Sequence, residues 1–257
     1  MKNLSKNSFK YNSWFLAHIN KICYSNQETV VIELVKYNFI SVIPLFQINN
    51  KIAGFVIEFD DDIIISIRGI SQNNIIPYNT CLKIWYHREQ NALVHKGFGT
   101  YANYLWPSIK VNLLLHNSKK IWFTGHSMGG SISKLIALKC ISEITSICKP
   151  CVFTYGSPRI ISFFNNIDFN KIELYRWVNN IDLVPGSPSL FFGYCHFSPS
   201  YYINRFGNVV KYTSSQIFFD KFKTYFFSLN KISTTHGLSS YLEALERYKN
   251  EIVISEK

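Results

Sequence analysis

Apolar residues in the first third of the chain come as short β-branched or aromatic runs cut by polar breaks. Residues 52–59 alternate or run apolar, Asp60-Asp61-Asp62 interrupts them, and 63–67 is again β-branched. This predicts two strands joined by a tight acidic turn. Upstream, residues 9–40 set Trp14, Phe15, Ile19 and Ile22 at helix-like spacing and then carry a β-branched run over 29–35. We expect helices packed outside a sheet there, with Pro44 ending the run. From 72 to 93 the pattern weakens, and a loop of that length is often functional. Tyr101, Tyr104, Leu105, Ile109 and Leu113 then predict a helix over 100–115 with Pro107 as a kink.

In the second half the pattern alternates. Residues 120–123 run apolar into Gly125, and 131–141 is helical. Short buried strands are expected at 152–155 and 174–178. A hairpin over 201–206 and 209–213 turns at Gly207-Asn208, an aromatic helix over 218–229 is placed on the core or near the site, and an amphipathic helix closes the chain over 239–249. Strand–helix alternation of this kind predicts an α/β fold, a mostly parallel central sheet with helices on both faces. No repeat, linker or composition break divides the chain, so residues 1–257 are expected to form a single domain.

The junction at 120–130 carries the chemistry. An apolar run ends in Gly125-His126-Ser127-Met128-Gly129-Gly130 and enters a helical pattern. Strand, sharp turn and helix around Gly-x-Ser-x-Gly is the setting of a nucleophile elbow. Such a turn strains the serine backbone and brings strand and helix so close that Gly125 and Gly129 must lack side chains. The helix N-terminus aims N–H groups, Met128 first, at a developing oxyanion. A phosphate loop would need Lys and then Ser or Thr after the second glycine, and Gly130 is followed by Ser131 and Ile132.

A nucleophilic serine needs a base, and the base an orienter. Both should lie on loops at the same edge of the sheet as the elbow. Asp182 leaves the strand at 174–178 in a loop of Asn179, Asn180 and Pro185. His236 sits between Thr235 and Gly237, just before the last helix. Asp168 and Asp220 are the alternative acids. The remaining histidines have ordinary readings. His126 packs against neighbouring loops, His95 and His196 are structural hydrogen-bonders, and His18, His87 and His116 lie on the surface.

Composition narrows the classes. Hydrophobic residues make up 47% of 257, enough for a large core. No apolar run reaches 18 residues, so no membrane-spanning helix is expected. In the first 20 residues the longest apolar run is 14–17, too short for a signal-peptide core, which makes cytoplasmic the default setting. Net charge is +11, from 27 basic against 16 acidic residues. That excess either draws the protein to anionic surfaces such as phospholipid or follows from a bias toward Ile, Asn, Lys, Phe and Tyr. With no dense Lys/Arg cluster, nucleic-acid binding has no support. Six cysteines stand at 23, 81, 140, 148, 151 and 195. The Cys148-x-x-Cys151 pair lacks the second pair or nearby His that zinc wants, and the Asp triplet at 60–62 reads as solvated turn, so no metal or cofactor is expected.

Five blocks in order now resemble the class 3 (fungal-lipase-like) lipase family of the α/β-hydrolases. They are Ile65-Ser66-Ile67-Arg68-Gly69, Val94-His95-Lys96-Gly97-Phe98, Thr124-Gly125-His126-Ser127-Met128-Gly129-Gly130, Phe153-Thr154-Tyr155-Gly156-Ser157-Pro158-Arg159, and Asn180-Ile181-Asp182-Leu183-Val184-Pro185. His236 falls where the family's base lies, and the likeness spans about residues 50–245. It implies an α/β-hydrolase fold and a Ser127–His236–Asp182 triad that cleaves carboxylic esters of lipids through an acyl-enzyme. It also implies an oxyanion hole from the backbone N–H groups of Met128 and Ile70, and a lid over 72–93 carrying Leu82, Ile84 and Trp85. In the family the residue after Arg-Gly is Thr or Ser, whose hydroxyl also holds the oxyanion. Ile70 has no hydroxyl, and Ser71 supplies one only if the loop shifts by a residue. Losing one such donor costs on the order of a hundredfold in rate. Two other readings stay open: a lipase-like protein that binds without turnover, and an esterase of soluble acyl esters.

Overall fold

Strand β3 (Asp62–Ile67) is buried along its whole length, as a strand covered on both faces must be. Ile63, Ile65 and Ile67 face one core and Ile64 the other, the two-residue period of an extended chain. The computed structural model describes residues 4–47, 50–70, 83, 85–89, 92–116, 118–144, 149–164, 169–227 and 235–251. On one side β3 pairs antiparallel with β2 (Ile52–Glu58), which pairs with β1 (Ser41–Phe46). On the other it begins a parallel series through β6 (Lys120–His126), β7 (Cys151–Tyr155), β9 (Glu173–Asn179) and β11 (Ser200–Ile203). Antiparallel β12 (Val209–Val210) closes that edge, giving the order β1-β2-β3-β6-β7-β9-β11-β12.

Helices cover both faces. On one side α3 (Lys96–Leu115) and α4 (Met128–Glu143) pack against Ile63, Ile65, Ile121 and Phe123. On the other α1 (Phe9–Ile22) and α6 (Leu238–Asn250) enclose Ile64, Trp122, Tyr155 and Trp177. Four hydrogen bonds seat α1 against β3, β6 and β7. The Asn20 amide donates to Ser66 Oγ and the Ile67 carbonyl, Thr124 Oγ1 donates to the Leu16 carbonyl, and the Tyr155 hydroxyl donates to the Ser13 carbonyl at 2.6 Å. Helix α2 (Gln27–Leu34) covers the β-branched run. The Asn26 side chain caps its Thr29 N–H, so capping and packing override β propensity there.

Two expectations change. Pro44 does not end its run but sits inside β1, opposite Phe55. An edge strand tolerates a residue that cannot donate to the ladder. Helix α3 starts at Lys96 rather than 100, because the His95 ring accepts from the Phe98 N–H and caps it. The expected lid, 72–93, falls mostly outside the described residues, Leu82 and Ile84 among them. Its described end is strand: β4 (Tyr86–Glu89) pairs with β5 (Ala92–His95), which joins β8 (Ile161–Ser162) and β10 (Tyr194–Cys195) in a second sheet. Of the Asp triplet, Asp62 is buried and accepts from the Leu4 N–H and the Trp122 indole, which accounts for it without a metal. No described helix is long and apolar enough to cross a membrane.

Candidate active site

Between β6 and α4 the chain reverses through one residue. Ser127 holds φ 57° and ψ −131°, a backbone state costly for a non-glycine residue. Hydrogen bonds pin it: its N–H donates to the Tyr155 carbonyl at 2.9 Å, and its carbonyl accepts from the Gly130 N–H at 3.1 Å. A Cβ on Gly125 would lie 2.4 Å from the Gly129 carbonyl carbon, and one on Gly129 would lie 2.3 Å from the Ile67 carbonyl oxygen. Strand, helix and the end of β3 are therefore in backbone contact, and neither glycine tolerates a side chain.

Three side chains from distant parts of the chain meet here. Ser127 Oγ lies 2.9 Å from His236 Nε2. His236 Nδ1 lies 2.9 Å from Asp182 Oδ2 and 3.0 Å from Oδ1. A carboxylate only accepts, so Nδ1 carries the proton and Nε2 is left to accept from the serine. Asp182 is 1% exposed, and two further donors hold its charge. The Tyr241 hydroxyl donates to Oδ2 at 2.6 Å, and the Val184 N–H to Oδ1 at 2.9 Å. Tyr241 Oη in turn accepts from the Asn179 N–H at 3.0 Å. The Asn179 amide donates to the Thr235 carbonyl at 3.2 Å, which ties the acid loop to the base loop.

The other side of the elbow is also tied. Gly69 lies against Ser127, where an added Cβ would be 3.2 Å from Ser127 Cβ. Its N–H donates to the Tyr24 hydroxyl at 2.7 Å. That hydroxyl lies 3.3 Å from His126 Nδ1, and His126 Nε2 lies 2.6 Å from the His236 carbonyl. A carbonyl only accepts, so His126 carries its proton on Nε2. Burial first, then the nearby His236, holds the His126 pKa down at about 4, so it stays neutral through this chain. The Arg68 guanidinium donates to the carbonyls of Cys23, Ser25 and Ile52, anchoring the strand that leads to Gly69. With Gly69 N–H engaged, the next backbone donor is Ile70, whose half-buried side chain packs on the core beneath α3 and α4. Met128, the first residue of α4, is buried beside Ser127. Ser71 lies outside the described residues.

Of the alternative acids, Asp220 is bonded elsewhere. Asp220 accepts from the Tyr202 hydroxyl, the Asn180 amide and the Arg205 N–H, and Asp168 lies outside the described residues. His196 bonds the Pro185 carbonyl. Tyr241, Tyr24 and Asn179 were not singled out from the sequence. The only signal for Tyr241 was its place one turn into the helix that follows His236, on the apolar face. Among the described residues no group of three His, Cys, Asp or Glu side chains could hold a metal. Cys23, Cys140, Cys151 and Cys195 are free thiols.

A family model described as lipase (class 3) matches residues 64–192, half of the chain and the whole stretch from β3 through the acid loop. The chain belongs to the class 3 lipase family. Over 150 residues it is 32% identical to a lipase of Rhizomucor miehei, covering 55% of this chain and 41% of that one. It is 29% identical over 168 residues to a secreted mono- and diacylglycerol lipase of Fusarium solani, covering 61% and 48%. It thus spans less than half the length of either relative. The solved lipase of Rhizopus microsporus var. chinensis superimposes with TM-score 0.59 at 18% identity, over 77% of this chain and 75% of that one, which establishes the α/β-hydrolase fold for this member of the family.

Exposed apolar side chains gather in this family member on and after the acid loop. Leu183 follows Asp182 directly. Leu190, Phe191 and Phe192 form a short exposed turn whose Phe192 carbonyl accepts from the Tyr86 hydroxyl at 2.8 Å. Phe163 and Phe164 stand beside it, with the Phe163 N–H donating to the Gly193 carbonyl. All six side chains are more than half exposed, Phe191 at 92%.

Proposed function

We propose that the chain hydrolyses carboxylic esters of lipids. The unbroken hydrogen-bond chain from Ser127 through His236 to Asp182, on a strained elbow, carries this reading. Ser127 Oγ attacks the ester carbonyl as His236 Nε2 takes its proton. The oxyanion forms against the N–H groups of Met128 and Ile70. His236 returns the proton to the leaving alcohol, and Asp182, held by Tyr241 and Val184, stabilises the imidazolium. Water then attacks the acyl-enzyme by the same route. The exposed apolar side chains support acyl-chain substrates, since monomeric proteins rarely leave contiguous apolar patches this exposed without a use.

Ile70 favours a second reading, a slow enzyme or a lipase-like binding protein, because the hydroxyl donor of the family is absent at that position. A fluorescent fluorophosphonate separates the two readings. Labelling of the wild type but not of Ser127→Ala, with ester turnover reduced by roughly four to six orders of magnitude in the variant, supports catalysis. Folded wild-type protein that neither labels nor turns over short- or long-chain esters overturns it. Turnover of dissolved esters alone, without gain on emulsified lipid, moves the substrate to soluble acyl esters.

A further inference from the structure

Two asparagines follow one another at the end of β9, and they are held from opposite sides. Consecutive side chains of an extended chain point to opposite faces. The Asn179 amide donates to the Thr235 carbonyl and to Ser240 Oγ, toward the base loop and α6. The Asn180 amide turns the other way, to helix α5 (Ser214–Phe227). It donates to Asp220 Oδ2 at 3.2 Å and to Thr224 Oγ1 at 3.0 Å, while the Asn180 N–H donates to the Ile203 carbonyl at 2.8 Å. Thr224 Oγ1 in turn donates to the Asp220 carbonyl at 2.9 Å. Asn180, Asp220 and Thr224 are all buried.

Asp220 is a costly residue to bury. A carboxylate taken out of water needs donors in place of its hydration. It finds them in three segments: the Asn180 amide on the acid loop, the Tyr202 hydroxyl on β11 at 2.9 Å, and the Arg205 N–H just after β11 at 3.1 Å, with the Arg205 guanidinium 3.8 Å away. A well-packed apolar side chain would hold α5 on the sheet without that cost. What the carboxylate adds is direction, because it fixes where the Asn180 amide points. Asn180 stands two residues before Asp182, and the Asp182 N–H donates back to the Asn179 carbonyl at 2.8 Å. The turn that presents the acid therefore starts from these two asparagines. Misplacing a reacting group by about 1 Å can cost about a hundredfold in rate, so the hold on this turn bears on the chemistry.

We infer that Asn180, clamped by Asp220 and Thr224, is a positioning residue that sets the Asp182 carboxylate against His236. This deepens the ester-hydrolase reading, on which it rests. The test reads the resting protein as well as turnover. The proton on His236 Nδ1, held toward Asp182, gives a nuclear magnetic resonance signal far downfield of the amides and needs no substrate. Asn180→Leu keeps the bulk and removes both bonds donated by the amide. We expect that signal to shift or broaden, and kcat on a dissolved short-chain ester to fall by about tenfold to a hundredfold with KM nearly unchanged. Thr224→Val keeps the shape and removes one acceptor, so it should move both readouts the same way by less, and Thr224→Ser, which keeps the hydroxyl, should restore them. Circular dichroism checks that each variant is folded. A folded Asn180→Leu protein with the wild-type signal and kcat overturns the proposal, even beside a lowered Tm, since a purely structural contact would lower Tm alone. If Asn180→Leu does not fold, Thr224→Val decides by the same two readouts. A wild type that turns over no ester would sink the hydrolase reading, and the His236 signal would still decide whether Asn180 sets Asp182.

Discussion

Tyr241→Phe removes one oxygen and leaves two buried groups without a partner. Asp182 Oδ2 loses a donor at 2.6 Å, and the Asn179 N–H loses its acceptor at 3.0 Å. Tyr241 is fully buried and Asp182 nearly so, so water does not replace either contact. A hydrogen bond to a charged group contributes about 1.5–3 kcal/mol, and an unsatisfied buried N–H costs about 1–3 kcal/mol. The ring still fills its space, so no cavity term is added. A net loss of about 2.5–6 kcal/mol follows, which lowers Tm by roughly 5–24 °C in a domain of this size. Chemistry should weaken without vanishing. Asp182 keeps the Val184 donor and its contact with His236, but it is held less firmly. We expect kcat on a dissolved short-chain ester to fall between about tenfold and a hundredfold, about 1.4–2.7 kcal/mol of transition-state stabilisation, with KM nearly unchanged. Thermal unfolding followed by circular dichroism, and steady-state kinetics at 25 °C, read both numbers. A Tm within 2 °C of wild type would refute the argument that these two bonds are buried and unreplaceable. A normal kcat beside a lowered Tm would show that Asp182 needs no third donor.

Three further outcomes follow from other residues. Unfolded chains protonate His126 below its ordinary pH of 6.5, whereas the folded protein resists until about 4. Stability should therefore drop as pH falls through that window, by about 3 kcal/mol more than in His126→Gln; parallel urea-unfolding curves for the two would rule this out. Lys134 is fully buried, its pKa pushed well down by burial and then by Arg176, and among the described residues its amine meets only the Pro158 carbonyl, which Ser131 also serves. Lys134→Met should thus raise stability at neutral pH by at least about 1 kcal/mol, and a lower Tm would mean that the lysine is needed where it lies. Ile70→Thr should raise kcat by up to about a hundredfold; an unchanged rate would mean that another donor already fills the place.

Sequence patterning anticipated the parallel sheet and its elbow because those features are local. The apolar run, the glycines and the helical period lie within twenty residues of Ser127. Asp182 and His236 were legible because each follows or precedes a recognisable element. What stayed hidden depends on contacts between distant segments. Tyr24 belongs to a stretch with no family resemblance, yet its hydroxyl meets Gly69 across the β3 end. Tyr241 looked like one more apolar position on an amphipathic helix. Pro44 looked like a break because an edge strand cannot be told from a central one before the sheet is assembled. The aromatics of 218–229 place a helix on the core or near the site, and only the buried Asp220 and Thr224 of the helix at Ser214–Phe227 reveal which side faces in.

The assembly of the site has a consequence for when it exists. Its nucleophile is made before the base at 236 and the hydroxyl at 241, and α6 must settle against α1 to bring them in. A growing chain can form the elbow strand and helix early, since domains fold from the N-terminus as they emerge. It remains chemically silent until α1 and α6 meet. The triad would thus be complete only once α6 has been made and has docked on α1.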